Sequence, residues 1–187
     1  MTGTGSVAGR ERLRLFVALV LPPDAVSQLV SWQREELAGA GEARVVPAEN
    51  LHVTIAFLGG RPGSDAAPIV ELLQRLAGGA TRPSLTPSRY RETRTVGMVA
   101  FEDEGDRAAT LAGDVFTGLE QLGVYEREKR RWLPHVTVLR FRGRPPRLSP
   151  ALPELGAVSP SEVALYHSVL RPSGAQYEIV ESVALGG

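Results

Sequence analysis

One apolar stretch decides the fold because it occurs twice, as Leu51-His52-Val53-Thr54-Ile55-Ala56-Phe57-Leu58 and again as Leu133-Pro134-His135-Val136-Thr137-Val138-Leu139. Both copies are rich in β-branched residues, which predicts two strands. Side chains two positions apart on a strand share a face. Each copy therefore presents one histidine and one threonine on one face and turns its valine toward a core.

The repetition changes what a histidine on a strand indicates. A single His-x-Thr strand is most often a half-buried histidine beside a β-forming residue. Two copies in one chain indicate a duplicated unit whose halves are related by a pseudo-twofold axis and face a common groove. Histidine has an ordinary pKa of about 6.5, so His52 and His135 are able to divide acid and base roles near neutral pH. Thr54 and Thr137 are able to donate hydrogen bonds to a charged group between them.

Composition sets limits on the class of protein. The chain has 187 residues, is 43% hydrophobic and carries no net charge. We expect a flexible tail over residues 1–12 and one bilobal domain over residues 13–187. Cysteine is absent, which excludes disulfides and thiolate chemistry and favours a cytoplasmic location. The apolar run at residues 15–21 is too short to cross a bilayer, so we expect no membrane association.

The hydrophobic pattern predicts the element order β-α-β-β-α-β-β-α-β-β-β. Helices are expected from Asp24, which is the N-cap candidate, to about residue 38, from Ser64 or Asp65 to about residue 77, and from Asp106 to residue 122. Each His-x-Thr strand follows a strand and a helix. This order predicts an α+β fold: a duplicated, two-lobed structure with two small antiparallel sheets around a central groove and the helices outside.

Basic residues surround the second motif, which suggests an anionic substrate such as a phosphate ester. Eight of them are Arg127, Lys129, Arg130, Arg131, Arg140, Arg142, Arg144 and Arg147. For any one of them a solvated loop position is an equal alternative. Four aromatic residues are candidates for stacking on a nucleobase, although each is also suited to core packing: Phe57, Tyr90, Trp132 and Tyr166. His167 lacks a His-x-Thr context, so we expect a structural or surface role.

Other chemistries fit poorly. The sequence contains no glycine-rich phosphate loop and no Gly-x-Ser-x-Gly nucleophile elbow. A zinc site needs three or four protein ligands, and two histidines with distant carboxylates would be an unusual set. We therefore expect neither a metal nor a cofactor.

At this point the residues resemble a known family. The paired motifs are similar to those of the two-histidine (2H) phosphoesterase superfamily, and more narrowly to the RNA 2′,3′-cyclic phosphodiesterases, also called 2′-5′ RNA ligases. The narrower resemblance covers residues 13–185 and rests on Leu15-Phe16-Val17-Ala18-Leu19, on Asn50 to Gly59, on Pro134 to Arg140, and on Leu165 to Leu170 followed by Gly174 and Tyr177. One difference from the family pattern is Leu133, where an arginine is more usual.

The resemblance implies hydrolysis of an RNA or nucleotide 2′,3′-cyclic phosphate to a 2′-phosphate without a metal. His52 would be the proton donor to the leaving 3′ oxygen, and His135 the acceptor of a proton from water. The expected substrate-binding residues are Thr54, Thr137, Arg140, Arg130, Phe57 and Tyr166. Strict alternation turns Arg140 away from His135, so it reaches the groove only if the strand bulges, twists or ends there.

Two further functions remain open from the sequence. The same site would support reversible 2′-5′ RNA ligation, and the same fold would support a non-catalytic module that binds nucleotides or RNA. A protein-binding scaffold is a weaker alternative because no exposed apolar stripe is evident. In each enzymatic case the expected partners are RNA ends or nucleotides that carry a 2′,3′-cyclic phosphate, and the protein is expected to act as a monomer.

Overall fold

The computed structural model describes residues 11–172 and 174–186. The predicted element order is confirmed. The strands are β1 (Arg12–Val20), β2 (Arg44–Val45), β3 (His52–Pro62), β4 (Leu85–Glu92), β5 (Val96–Asp103), β6 (His135–Arg140), β7 (Glu162–Arg171) and β8 (Gly174–Ala184). The helices are α1 (Pro23–Glu36), α2 (Ala66–Ala77) and α3 (Arg107–Gln121). Most of the predicted tail, residues 1–10, lies outside the described residues; β1 begins at Arg12, one residue before the predicted start of the domain.

All strand pairs are antiparallel, in the order β4-β5-β6-β3-β1-β7-β8, with β2 paired to β6. The α+β fold with antiparallel halves around a groove is confirmed. The two predicted sheets are the two halves of one sheet, and β3 and β6 join them through the single registered pair Val53 and Val136. The halves match: β1, α1 and β3 in the first correspond to β5, α3 and β6 in the second, and each His strand lies beside the strand that precedes its helix.

The helices cover one face of the sheet and leave the other face to the site. Their apolar stripes pack into one core with the alternate strand residues, including the fully buried Val53 and Val136. Helices α2 and α3 approach so closely that a Cβ added at Gly118 would lie 2.3 Å from a methyl carbon of Leu72. A second, smaller apolar cluster lies on the opposite face, formed by Phe16, Ala18, Ala164 and Tyr166.

Two helix starts differ from the predictions. Asp24 is not the N-cap of α1, because Pro22 takes that position and Pro23 begins the helix without a side-chain cap. Helix α3 begins at Arg107, since Asp106 is left-handed with φ of 52°. The Asp103 carboxylate instead accepts the backbone N–H groups of Ala108 and Ala109 at 3.0 and 2.8 Å. This carboxylate satisfies N–H groups that the first turn leaves free.

Candidate active site

The two motifs meet at the junction of the sheet halves. Val53 pairs with Val136 in an antiparallel register, so a histidine and a threonine flank this pair from each strand. The valines are fully buried in the core, whereas the two histidines and two threonines are half-buried on the opposite face. The structure therefore brings His52, Thr54, His135 and Thr137 onto one face.

A β-bulge follows the second motif and brings Arg140 to this face. Strand β5 pairs Met98 with Thr137 and Gly97 with Leu139, which leaves Val138 without a partner. Val138 and Leu139 are both fully buried, so the alternation resets and the next residue emerges on the groove side. Arg140 is exposed there and lines the groove. The strand thus bulges, which is one of the expected conditions for Arg140 to reach the groove.

The first motif has the matching bulge. Strand β1 pairs Ala18 with Thr54 and Val17 with Ala56, so Ile55 is the extra residue. The position that corresponds to Arg140 is Phe57, which is 52% exposed and also lines the groove. The two bulges place an aromatic ring after one motif and a guanidinium after the other.

Backbone carbonyls fix the orientation of both imidazoles in the same way. Nδ1 of His52 donates to the carbonyl of Asn50 at 2.9 Å, and Nδ1 of His135 donates to the carbonyl of Leu133 at 2.8 Å. A carbonyl only accepts, so each Nδ1 carries a proton, and Nε2 is the nitrogen left for chemistry. Nε2 of His52 lies 2.9 Å from the Thr54 hydroxyl, which donates to it when the ring is neutral.

Aromatic residues enclose His52. Its ring centroid lies 4.9 Å from that of Phe16, 5.8 Å from that of Tyr166 and 5.3 Å from that of Tyr177. The pKa of His52 is lowered from 6.5 to about 4, chiefly by this burial, which outweighs the hydrogen bond to Asn50; the positive charges of Arg140 and His135 act in the same direction as burial. His52 is therefore neutral in the free protein near neutral pH.

The groove beside His52 has a volume of about 420 Å³ and a basic lining. Arg14, Arg44 and Arg140 line it, and the described lining residues include no carboxylate. The guanidinium of Arg14 lies 5.4 Å from the centre of the Phe57 ring, a cation–π contact. Arg140 also donates to the Tyr177 hydroxyl at 3.4 Å. This lining suits a small anion with an aromatic group attached.

Three expected substrate-binding residues, Thr137, Tyr166 and Arg130, are not among the residues that line this groove, and neither is His135. His135 and Thr137 share the face of His52 and Thr54 through the pairing of Val53 with Val136. Tyr166 is only 7% exposed and stacks on Phe16 with their ring centroids 4.8 Å apart, so it forms the floor beneath His52. The tyrosine is too buried to stack on a base as expected; burial also raises its pKa to about 12. Arg130 is exposed in the loop before β6 and pairs with Glu128. His167 lies on β7, 4.0 Å from the Glu178 carboxylate, apart from both motifs.

Several groove residues were missed from the sequence. Arg14 and Arg44 belong to no motif, although the alternation of arginine and leucine in Arg12-Leu13-Arg14-Leu15 indicates one polar face at the start of β1. Tyr177 was noted only as part of the resemblance. Trp132 was considered for stacking, but its indole N–H donates to the carbonyl of Thr54 at 3.0 Å and so links the loop before β6 to β3.

Comparison with known proteins identifies the family. An RNA 2′,3′-cyclic phosphodiesterase of Thermus thermophilus is 31% identical over 184 residues, covering 94% of this chain and 91% of that protein. The chain belongs to the LigT-like phosphoesterase family. The family model described as LigT-like phosphoesterase matches residues 20–90, a region that holds the first motif. A second RNA 2′,3′-cyclic phosphodiesterase, from Archaeoglobus fulgidus, is 28% identical, and the match covers 89% of this chain and 97% of that protein.

Solved structures agree with this LigT-like phosphoesterase fold. A crystal structure of a protein from Thermus thermophilus has a TM-score of 0.79 at 30% identity, covering 94% of this chain and 99% of that one. The apo structure of Escherichia coli LigT has a TM-score of 0.80 at 23% identity and covers 95% and 99%. The resemblance inferred from the paired motifs is thus confirmed at the level of family and fold, and so is the expectation of a phosphoesterase.

The described residues of this LigT-like phosphoesterase contain neither a cluster of metal ligands nor a helix that could span a membrane. No three His, Asp or Glu side chains in residues 11–172 and 174–186 cluster as metal ligands would. In the same part of the chain, no helix is long and apolar enough to cross a membrane.

Proposed function

We propose that the protein hydrolyses RNA or nucleotide 2′,3′-cyclic phosphates to 2′-phosphates by a metal-independent acid–base mechanism of two histidines. One observation carries the proposal: equivalent His-x-Thr strands meet at the paired Val53 and Val136, with both imidazoles and both hydroxyls on one face. Several relatives are named RNA 2′,3′-cyclic phosphodiesterase, which supports the substrate. The site is complete within one chain, which supports a monomer.

The reaction needs one proton removed and one delivered. Water attacks phosphorus as its proton passes to His135, the P–O3′ bond breaks, and His52 gives its proton to the 3′ oxygen. The product is a 2′-phosphate. Thr54 and Thr137 donate to the non-bridging oxygens, where negative charge accumulates in the transition state, and Arg140 offsets that charge.

The neutral state of His52 in the free protein requires that the substrate bring about its protonation. A cyclic phosphate is an anion, and an opposite charge beside an imidazole favours the protonated form and raises its pKa. Once His52 is protonated, its Nε2 becomes a donor, so the Thr54 hydroxyl no longer donates to it and turns to the phosphate. Binding of the anion thereby prepares the acid and releases the hydroxyl donor together.

The test is hydrolysis of adenosine 2′,3′-cyclic phosphate by purified protein in the presence of EDTA, with the two phosphate isomers separated by chromatography. The proposal predicts turnover to the 2′-phosphate alone. Formation of the 3′-phosphate would mean that the 2′ oxygen is the leaving group and would contradict the proposed product. Activity that requires a divalent ion would contradict the mechanism. A parallel gel assay with two RNA halves, one ending in the cyclic phosphate, measures 2′-5′ ligation at the same site.

A further inference from the structure

The groove face extends across the second half of the sheet to the edge strand β4. Residues that pair directly across neighbouring strands lie on the same face of a sheet. The pairs of β6 with β5 and of β5 with β4 define two rows, His135–Ala100–Arg89 and Thr137–Met98–Arg91. Two arginines of the edge strand therefore share the face of the second motif.

The surroundings of Arg89 and Arg91 show that they are available to a ligand. Both are exposed, and neither forms an ion pair with a carboxylate among residues 11–172 and 174–186. Ala100 and Met98 between them and the motif are buried but lie outside the main core, as expected for the face opposite the helices. We call Arg89 and Arg91 the basic ledge. An acidic residue, Glu102, lies on this face two positions after Ala100 on β5, where it pairs with Thr86 of β4.

The corresponding positions of the first half carry the opposite character. There the equivalent rows are His52–Val20–Glu162 and Thr54–Ala18–Ala164. A carboxylate and a methyl group thus stand where the second half has two guanidinium groups. The pseudo-symmetry that produces two similar motifs is therefore broken in charge at the strands flanking each half, so along these rows an extended anion is attracted to β4 and not to β7.

From this asymmetry we infer that the basic ledge binds backbone phosphates of an RNA chain on the 5′ side of its terminal cyclic phosphate. The inference rests on the proposed function and names an oligonucleotide as the preferred substrate. The ledge is two strands from the second motif, about 10 Å at a strand spacing of about 4.8 Å. A nucleoside 2′,3′-cyclic phosphate has one phosphate, which occupies the histidines, so only a longer chain reaches the ledge with a second phosphate.

Contacts of this kind have a recognisable kinetic effect. Phosphate contacts from arginine add affinity without reading sequence, and each contact to a single strand adds about 0.7 to the slope of log affinity against log salt. Two contacts therefore contribute about 1.4 to that slope. Neither arginine touches the reacting phosphate, so their removal changes KM for a long substrate and leaves kcat for a short one unchanged.

The experiment compares wild type with the double variant Arg89→Ala/Arg91→Ala on two substrates: adenosine 2′,3′-cyclic phosphate and a tetraribonucleotide ending in the same group. We expect KM for the tetranucleotide to rise about tenfold or more and its salt dependence to weaken, with both parameters for the mononucleotide unchanged. The matched control is Arg34→Ala/Arg75→Ala, which removes two exposed arginines from α1 and α2 on the helix side of the sheet.

The possible outcomes distinguish failure of the basic ledge from failure of the proposed hydrolysis. Equal effects on both substrates, no effect on either, or a wild-type KM no lower for the tetranucleotide would each overturn the ledge and leave the proposed function intact. If wild type hydrolyses neither substrate, the proposed function fails. The ledge is then judged by fluorescence anisotropy of a labelled oligoribonucleotide ending in a 2′-phosphate: weaker binding only in the ledge variant supports it, and equal binding by all three proteins overturns it.

Discussion

Acidification is expected to destabilise the protein through His52 because its pKa is about 4 in the folded state and 6.5 as a free imidazole. The folded state therefore resists protonation that the unfolded chain accepts. The stability that this provides is complete above the unfolded pKa of 6.5 and is lost as the pH falls toward about 4. At 1.36 kcal/mol for each unit of pKa, the loss is about 3 kcal/mol.

The perturbation that isolates this contribution is His52→Gln, which keeps a polar side chain but does not titrate. Free energies of unfolding come from denaturant titrations of both proteins between about pH 7.5 and about pH 4.5. Wild type should lose about 2 to 3 kcal/mol more than the variant over this range, because only wild type buries a histidine that must be protonated on unfolding. The same loss in both proteins would refute the account of His52.

A control variant and an added ligand extend this measurement. His167→Gln gives the effect of replacing a histidine that lies outside the groove. Inorganic phosphate should reduce the acid loss of wild type, because an anion in the groove raises the pKa of His52. A phosphate effect of the same size in wild type and in His52→Gln would contradict that part of the argument.

Five further substitutions, at four residues of the site, have expected outcomes. Thr54→Val and Thr137→Val should each lower kcat about tenfold or more, measured at saturating substrate, because each removes a donor to the phosphate oxygens; an unchanged kcat would exclude that role. Phe57→Ala should raise KM for a nucleotide substrate by roughly five- to a hundredfold, the range for one lost stacking contact, and leave kcat nearer to wild type. Tyr177→Ala should expose His52 to water and raise its pKa, measured by NMR titration, whereas Tyr177→Phe, which keeps the ring, should not.

The sequence predicted most of the fold because its signals are local. Period-two and helical patterns marked every strand and helix, and the repeated motif alone indicated that distant segments face one groove. The element ends were less certain: α3 begins at Arg107 rather than at Asp106, and the Asp103 carboxylate accepts the N–H groups of its first turn, which depends on how the preceding turn folds back. The joining of the two halves through Val53 and Val136 depends on tertiary pairing, which no local pattern specifies.

The site residues in the repeated motif were predictable from the sequence. Those whose orientation depends on strand register were not. Alternation alone turned Arg140 away from the groove, and only the unpaired Val138 in the β5–β6 ladder brings it back. Tyr166 has an aromatic ring of the kind that stacks on a base, yet its pairing with Phe16 across β1 and β7 buries that ring beneath His52. The charge difference between Arg89 and Glu162 became visible only after strand order and register were known, because these residues belong to no motif.

The most direct test of the two-histidine site is the turnover of three alanine variants on adenosine 2′,3′-cyclic phosphate. His52→Ala and His135→Ala should each lower kcat by about a hundredfold or more, the usual scale for a positioned acid or base. His167→Ala, which removes the remaining histidine of the chain, should retain activity close to wild type. Near-normal turnover by either motif variant, or loss of activity in His167→Ala alone, would contradict the assignment of the reaction to the paired motifs.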